Sequence, residues 1–160
     1  MDRSFVELNR AATDRMRALA ARLTDKELQH PVGQHWTVAI VLAHLAFLDR
    51  RALWVLDATE RAGKVVNPDY DIFVNDLSLP LWAAIPPRDA ARIAIETAEA
   101  LDRRLETYPP RLLELVHAEY KRYIFRAYHR TEHLNEAEAA LQSTAPSLSP
   151  SPPTSPSPAP

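Results

Sequence analysis

Glycine occupies only two of the 160 positions, Gly33 and Gly63, and this restricts the fold more than any other feature of the chain. Sheets need many tight turns, and tight turns draw on glycine for their left-handed positions. Alanine, leucine, arginine and glutamate, all good helix formers, dominate instead. The sequence therefore predicts an all-α protein. From Ser143 onward there are seven prolines, six serines, two threonines and no charge. Such a segment has nothing to bury, so disorder is expected. The expected division is a helical domain over 1–142 and a Pro/Ser-rich tail over 143–160.

Helix signals place four rods in the domain. Ser4 and Glu7 have the spacing of a capping box ahead of apolar Phe5, Leu8, Ala12, Met16, Leu19 and Leu23, which gives a first helix to about residue 23. Thr24 and Glu27 repeat the box and open one or two helical turns, ended by Pro31 and Gly33. Thr37 caps the second helix, which runs without a breaker to Gly63. One stripe of it carries Trp36, Ile40, Val41, Phe47, Leu48, Trp54 and Val55, and another side carries Val38, Leu42, Leu45, Leu53 and Leu56. Apolar surface this wide requires two neighbours, either two helices of one bundle or a second subunit, and a homodimer is expected.

Between Lys64 and Pro86 the helical period lapses into turn-forming residues and prolines, as in a long crossover. Phe73, Leu77, Leu81 and Trp82 are expected to fasten it down onto the bundle. Pro87 suits the first turn of a third helix that ends at Tyr108-Pro109-Pro110. The fourth is expected from about 118 to 142, with 111–118 open between a short helix and a lead-in. The result is a four-helix bundle with a long crossover between the second and third helices.

Charge and composition exclude several functions. A net charge of -2 with both signs interspersed offers no basic stripe for nucleic acid. Neither a leader-like apolar segment nor a run approaching the ~20 residues of a membrane span is present, so no membrane partner is expected and the location is read as cytoplasmic. The absence of cysteine rules out thiolate ligands, so any metal must be held by nitrogen and oxygen.

His129 and His133 are separated by one helical turn, about 40° apart around the axis, so their rings can converge. This is metal-ligand spacing, and a site needs a further ligand from elsewhere. His44 is the candidate, because it falls at the middle of the apolar stripe of the second helix, where an unpaired imidazole would be costly. His30, His35 and His117 have no comparable partners in pattern. Arg126, Arg130 and Arg51 lie on or near inward faces and are candidates to bind a substrate carboxylate, with pairing to Asp49 or Asp57 as the alternative. Glu132 projects away from the histidines, so no general base, and no catalytic residue, is identified.

The segments Trp36-Thr37-Val38-Ala39, Leu42-Ala43-His44-Leu45 and His129-Arg130-Thr131-Glu132-His133-Leu134 resemble the DinB/YfiT-like family of metal-binding four-helix bundles over roughly residues 1–142. The resemblance implies His44, His129 and His133 as ligands of one divalent ion, with zinc as first choice and nickel or iron as alternatives. It further implies a small-molecule substrate and either chemistry using a low-molecular-weight thiol, as in mycothiol-dependent maleylpyruvate isomerase and bacillithiol S-transferases, or metal-dependent hydrolysis. A non-catalytic metal-binding or dimeric interaction module is the rival reading. With no cysteine in the chain, the thiol would have to be exogenous.

Overall fold

The computed structural model describes residues 2–143. The tail expected to be disordered lies, apart from Ser143, outside the described residues. Helices α1 (Phe5–Arg22) and α2 (Asp25–Leu28) lead into a two-stranded antiparallel hairpin, β1 (Pro31–Val32) and β2 (Trp36–Thr37). There follow α3 (Val38–Ala62), α4 (Phe73–Ala83), α5 (Pro87–Thr107), α6 (Pro110–Tyr120), a 3₁₀ turn (Lys121–Tyr123) and α7 (Arg126–Ser143). The rods α1, α5, α3 and α7 form a ring in which each packs on two neighbours. The expected all-α bundle is what the structure shows. No helix among the described residues is long and apolar enough to cross a membrane.

Local signals set several helix ends. Thr37 Oγ1 accepts from the Ile40 amide at 3.3 Å, and Gly63 closes α3 in the left-handed region at φ 67°. The Thr24–Glu27 box forms in both directions, at 3.2 and 2.7 Å. The expected box at Ser4 does not form: the Ser4 hydroxyl donates to Asp2 instead and leaves the α1 amides uncapped by it. Gly33, at φ 65°, turns the hairpin, in which Val32 pairs with Trp36.

Four further expectations need correction. The fourth rod starts at Arg126, not near 118. Asn9, a buried residue of α1, donates to the Ile124 carbonyl at 2.8 Å and accepts from the Ala127 amide at 2.9 Å, which breaks the chain away from α6 and caps α7 from across the bundle. The crossover contains a helix, α4, despite Pro80, which faces solvent where water can take the freed carbonyl. Of the side chains expected to fasten it, only Trp82 is buried; it inserts among Ala39, Ile40, Ala43 and Ala90. Phe73, Leu77 and Leu81, on the opposite side of the same helix, are 64%, 76% and 71% exposed. Trp54, expected in the core stripe of α3, is also half exposed.

Besides the cluster around Trp82, the core has two apolar halves. One is built around Met16, Leu19, Leu42, Leu45, Ala94 and Leu134, the other around Phe5, Leu56, Leu101, Leu105 and Phe125. Where they meet on the four rods stand Asn9 and Thr13 (α1), Asp49 (α3), Asp102 (α5) and Arg126 and Arg130 (α7), linked by hydrogen bonds into one polar layer. Two carboxylates face two guanidiniums, so the layer can be neutral, as burial demands.

Candidate metal centre

The site lies where α3 meets α7. The apolar period of α3 turns His44 inward, leaving it 2% exposed, while α7 brings in His129 (8% exposed) and His133 from successive turns. The ring centroids of His44 are 5.2 Å from His129 and 4.8 Å from His133, and the two rings of α7 are 4.7 Å apart. One nitrogen from each can be chosen so that all three lie within 4.8 Å of one another. The hairpin sets Trp36 against His44 and stacks it on His133, and Trp82 of α4 meets His44 edge-on at 5.3 Å.

Burial makes protonation of two of these rings difficult. Loss of solvent, reinforced by His133 and Arg126 and opposed by Asp49, holds His44 at about 3. His129 is held at about 2, again chiefly by burial, with Arg126 next in importance. Both are neutral near pH 7, as metal ligands must be. His133 donates from Nδ1 to Glu136 at 2.8 Å, which leaves Nε2 as its free lone pair. His44 and His129 approach through their Nε2 atoms at 3.3 Å. With metal–nitrogen bonds of about 2.0–2.1 Å, two ligands of a tetrahedral ion stand about 3.3–3.4 Å apart, so this separation fits one. His44 Nδ1 is buried with no hydrogen-bond partner among the described residues. The donor set is all nitrogen and fits a borderline cation such as zinc.

His129 has a different neighbour. Its Nδ1 faces Arg126 Nη2 at 3.2 Å, and guanidinium can only donate, so the neutral ring carries its hydrogen on Nε2, facing His44; a cation held through Nε2 takes the place of that hydrogen. Glu136 was not legible as a site residue from composition, although its position three after His133 puts the two on one helical face. Glu132 pairs with Arg122 on the exposed side, in line with its expected outward direction.

The three arginines have protein partners. Arg130 is fully buried and donates to Asp49, Asp102, Thr13 and the Asn9 carbonyl. Arg126 donates to Asp49 and to the Arg122 carbonyl. Arg51, half-buried, lies between the rings of Tyr70 and Tyr123 at 4.9 and 5.4 Å and donates to Asn67 Oδ1 and the Pro68 carbonyl, clamping the crossover to α3. Their donors are thus spent on the chain's own acceptors, the pairing alternative for Arg126 and Arg130. Beside the histidines, Val32, Gly33, Trp36, His133, Glu136 and Ala140 line an open groove of about 480 Å³.

In comparisons with known proteins, the family described as the mycothiol maleylpyruvate isomerase N-terminal domain matches residues 9–119. No curated protein and no solved structure is matched. The matched segment contains His44 and ends before α7, so the placement of His129 and His133 rests on the geometry above. The match covers well over half of the chain, which therefore belongs to the mycothiol maleylpyruvate isomerase N-terminal domain family, a DinB/YfiT-like group of helical, metal-binding type.

Proposed function

We propose that His44, His129 and His133 hold one divalent cation, zinc in the first instance with nickel or iron as alternatives, and that the protein uses it with an exogenous low-molecular-weight thiol on a small electrophilic substrate. The observation that carries this reading is the convergence of three imidazoles, two of them buried and neutral, at a separation suited to one ion. Family membership supports thiol-dependent chemistry. A divalent ion with three nitrogen ligands supplies an open position at which a thiol, or water in the hydrolytic variant, loses its proton near neutral pH. The chain's own residues do the rest: Glu136 orients His133, Trp36 and Trp82 shield His44 from water, and the groove beside His133 admits the reactants. The three arginines, engaged within the protein, are assigned no substrate in this reading.

A second reading, a metal-binding or dimeric interaction module without catalysis, draws support from the apolar face of α4. One experiment separates the two. Purified protein and a His129→Ala variant are compared by metal analysis, and the cobalt-substituted protein is titrated with small thiols. We expect about one metal per chain in the parent, loss of it in the variant, and a thiolate-to-cobalt charge-transfer band. Equal metal in both proteins would remove the site; metal without a thiol band would favour the interaction module.

A further inference from the structure

We propose that Asp49 is the positioning residue of the metal centre: from α3 it fixes the rotation of α7 through Arg126 and Arg130, and so sets where His129 stands relative to His44. The inference rests on the metal-binding reading above and concerns a residue that is not itself a ligand. Asp49 is fully buried, and each carboxylate oxygen is spent on a different guanidinium, Oδ1 accepting from Arg126 Nε at 2.7 Å and Oδ2 from Arg130 Nε at 2.8 Å. These two arginines bracket His129 in sequence, three residues before it and one after. Arg126 Nη2 then donates to His129 Nδ1 at 3.2 Å, which fixes the ring in place on α7. The chain of contacts Asp49–Arg126–His129 is therefore continuous, and its origin lies on the same rod as His44, five residues further along.

Stability alone is a poor account of this arrangement. Removing a carboxylate and two guanidiniums from water costs several kcal/mol per ion, and apolar side chains of similar volume commonly hold helices together as well or better. Directionality is what the ionic version adds. A carboxylate with both oxygens engaged permits one rotation of α7 about its axis, whereas leucine packing tolerates several. Charge matters as well. A guanidinium behind a ligand ring repels a bound cation, and Asp49 sits where it offsets that charge.

Asp102 provides the matched control. It too is a carboxylate on Arg130, at 2.9 Å, partly buried, and its ion pair is with Arg130 and not Arg126. Asp49→Asn and Asp102→Asn should both lower the urea midpoint. Only Asp49→Asn should weaken cobalt(II) binding, by about tenfold, the lower end for losing a group that orients a ligand, because α7 loses the contact that fixes its rotation, and alter the visible cobalt spectrum. If the two variants weaken binding equally, or if Asp49→Asn binds like the parent, the positioning role is overturned. Should Asp49→Asn fail to fold, Arg126→Met cuts the same chain while leaving Asp49 paired with Arg130; it should change the cobalt spectrum, and an unchanged spectrum overturns the proposal. A parent protein that binds no cobalt would instead defeat the metal reading itself.

Discussion

At the residue scale the unusual groups are His44 and His129, imidazoles kept neutral by burial at about 3 and about 2 against an ordinary value of 6.5. Their folded values are depressed, so between these values and 6.5 the unfolded chain binds more protons than the native one. Stability must then fall as pH falls. Each contributes up to about 1.4 kcal/mol per pH unit in that window. The metal-free protein should lose on the order of 3 kcal/mol between pH 7 and pH 5, measured by urea unfolding at each pH, and His44→Gln should remove about half of that slope. A flat profile over the window would show that the rings open to solvent and protonate in place. The candidacy of these residues was legible: the i, i+4 pair on one helix and a lone histidine on an apolar stripe are patterns of spacing alone. The roles of Glu136 and Asp49 were not, because an acidic residue in a helix does not announce whether it meets water, a ring or two arginines.

At the element scale, helix ends fall into two kinds. Those of α3 are fixed by Thr37 and Gly63, which act on amides and carbonyls a few residues away, and these could be read directly. The start of α7 is fixed by Asn9, whose partners are 115 and 118 residues distant. Asn9→Ala leaves a buried carbonyl and a buried amide without partners, and should cost about 2–4 kcal/mol by chemical denaturation at a typical 1–3 kcal/mol per orphaned group. A loss under 0.5 kcal/mol would mean that α7 starts at Arg126 for local reasons. The hairpin of β1 and β2 shows the same limit. Its glycine was visible, but that it carries Trp36 onto His133 follows from where α7 lies.

At the scale of the whole molecule, the apolar breadth of α3 is spent within the chain on α4, α5 and α7, apart from half-exposed Trp54, so it does not require a second subunit. Among the described residues, α4 and its N-cap carry the most exposed large apolar side chains. Ile72, Phe73, Leu77 and Leu81 are each 64–76% exposed and follow one another at helical spacing. Side chains this open leave an apolar patch on the order of 500 Å², at the upper end for a monomer. Two copies meeting through it would bury about 1,000 Å², the lower bound of a specific interface. In the second reading, a dimeric interaction module, a second copy of the chain docks on this patch. Light scattering should then give a dimer for the parent and a monomer for Leu77→Glu at the same concentration, with metal content unchanged. A monomeric parent would exclude the dimer, and a dimeric variant would move the interface elsewhere.

The class of fold, the rods and three candidate ligands follow from local signals, because period, capping and glycine scarcity act over one or two turns of chain. Tertiary structure alone decided where α7 begins, which side of α4 is buried, and that Arg126 and Arg130 turn to Asp49. Those outcomes depend on groups brought together across the bundle, where the cost of an unpaired buried charge or amide outweighs any local preference.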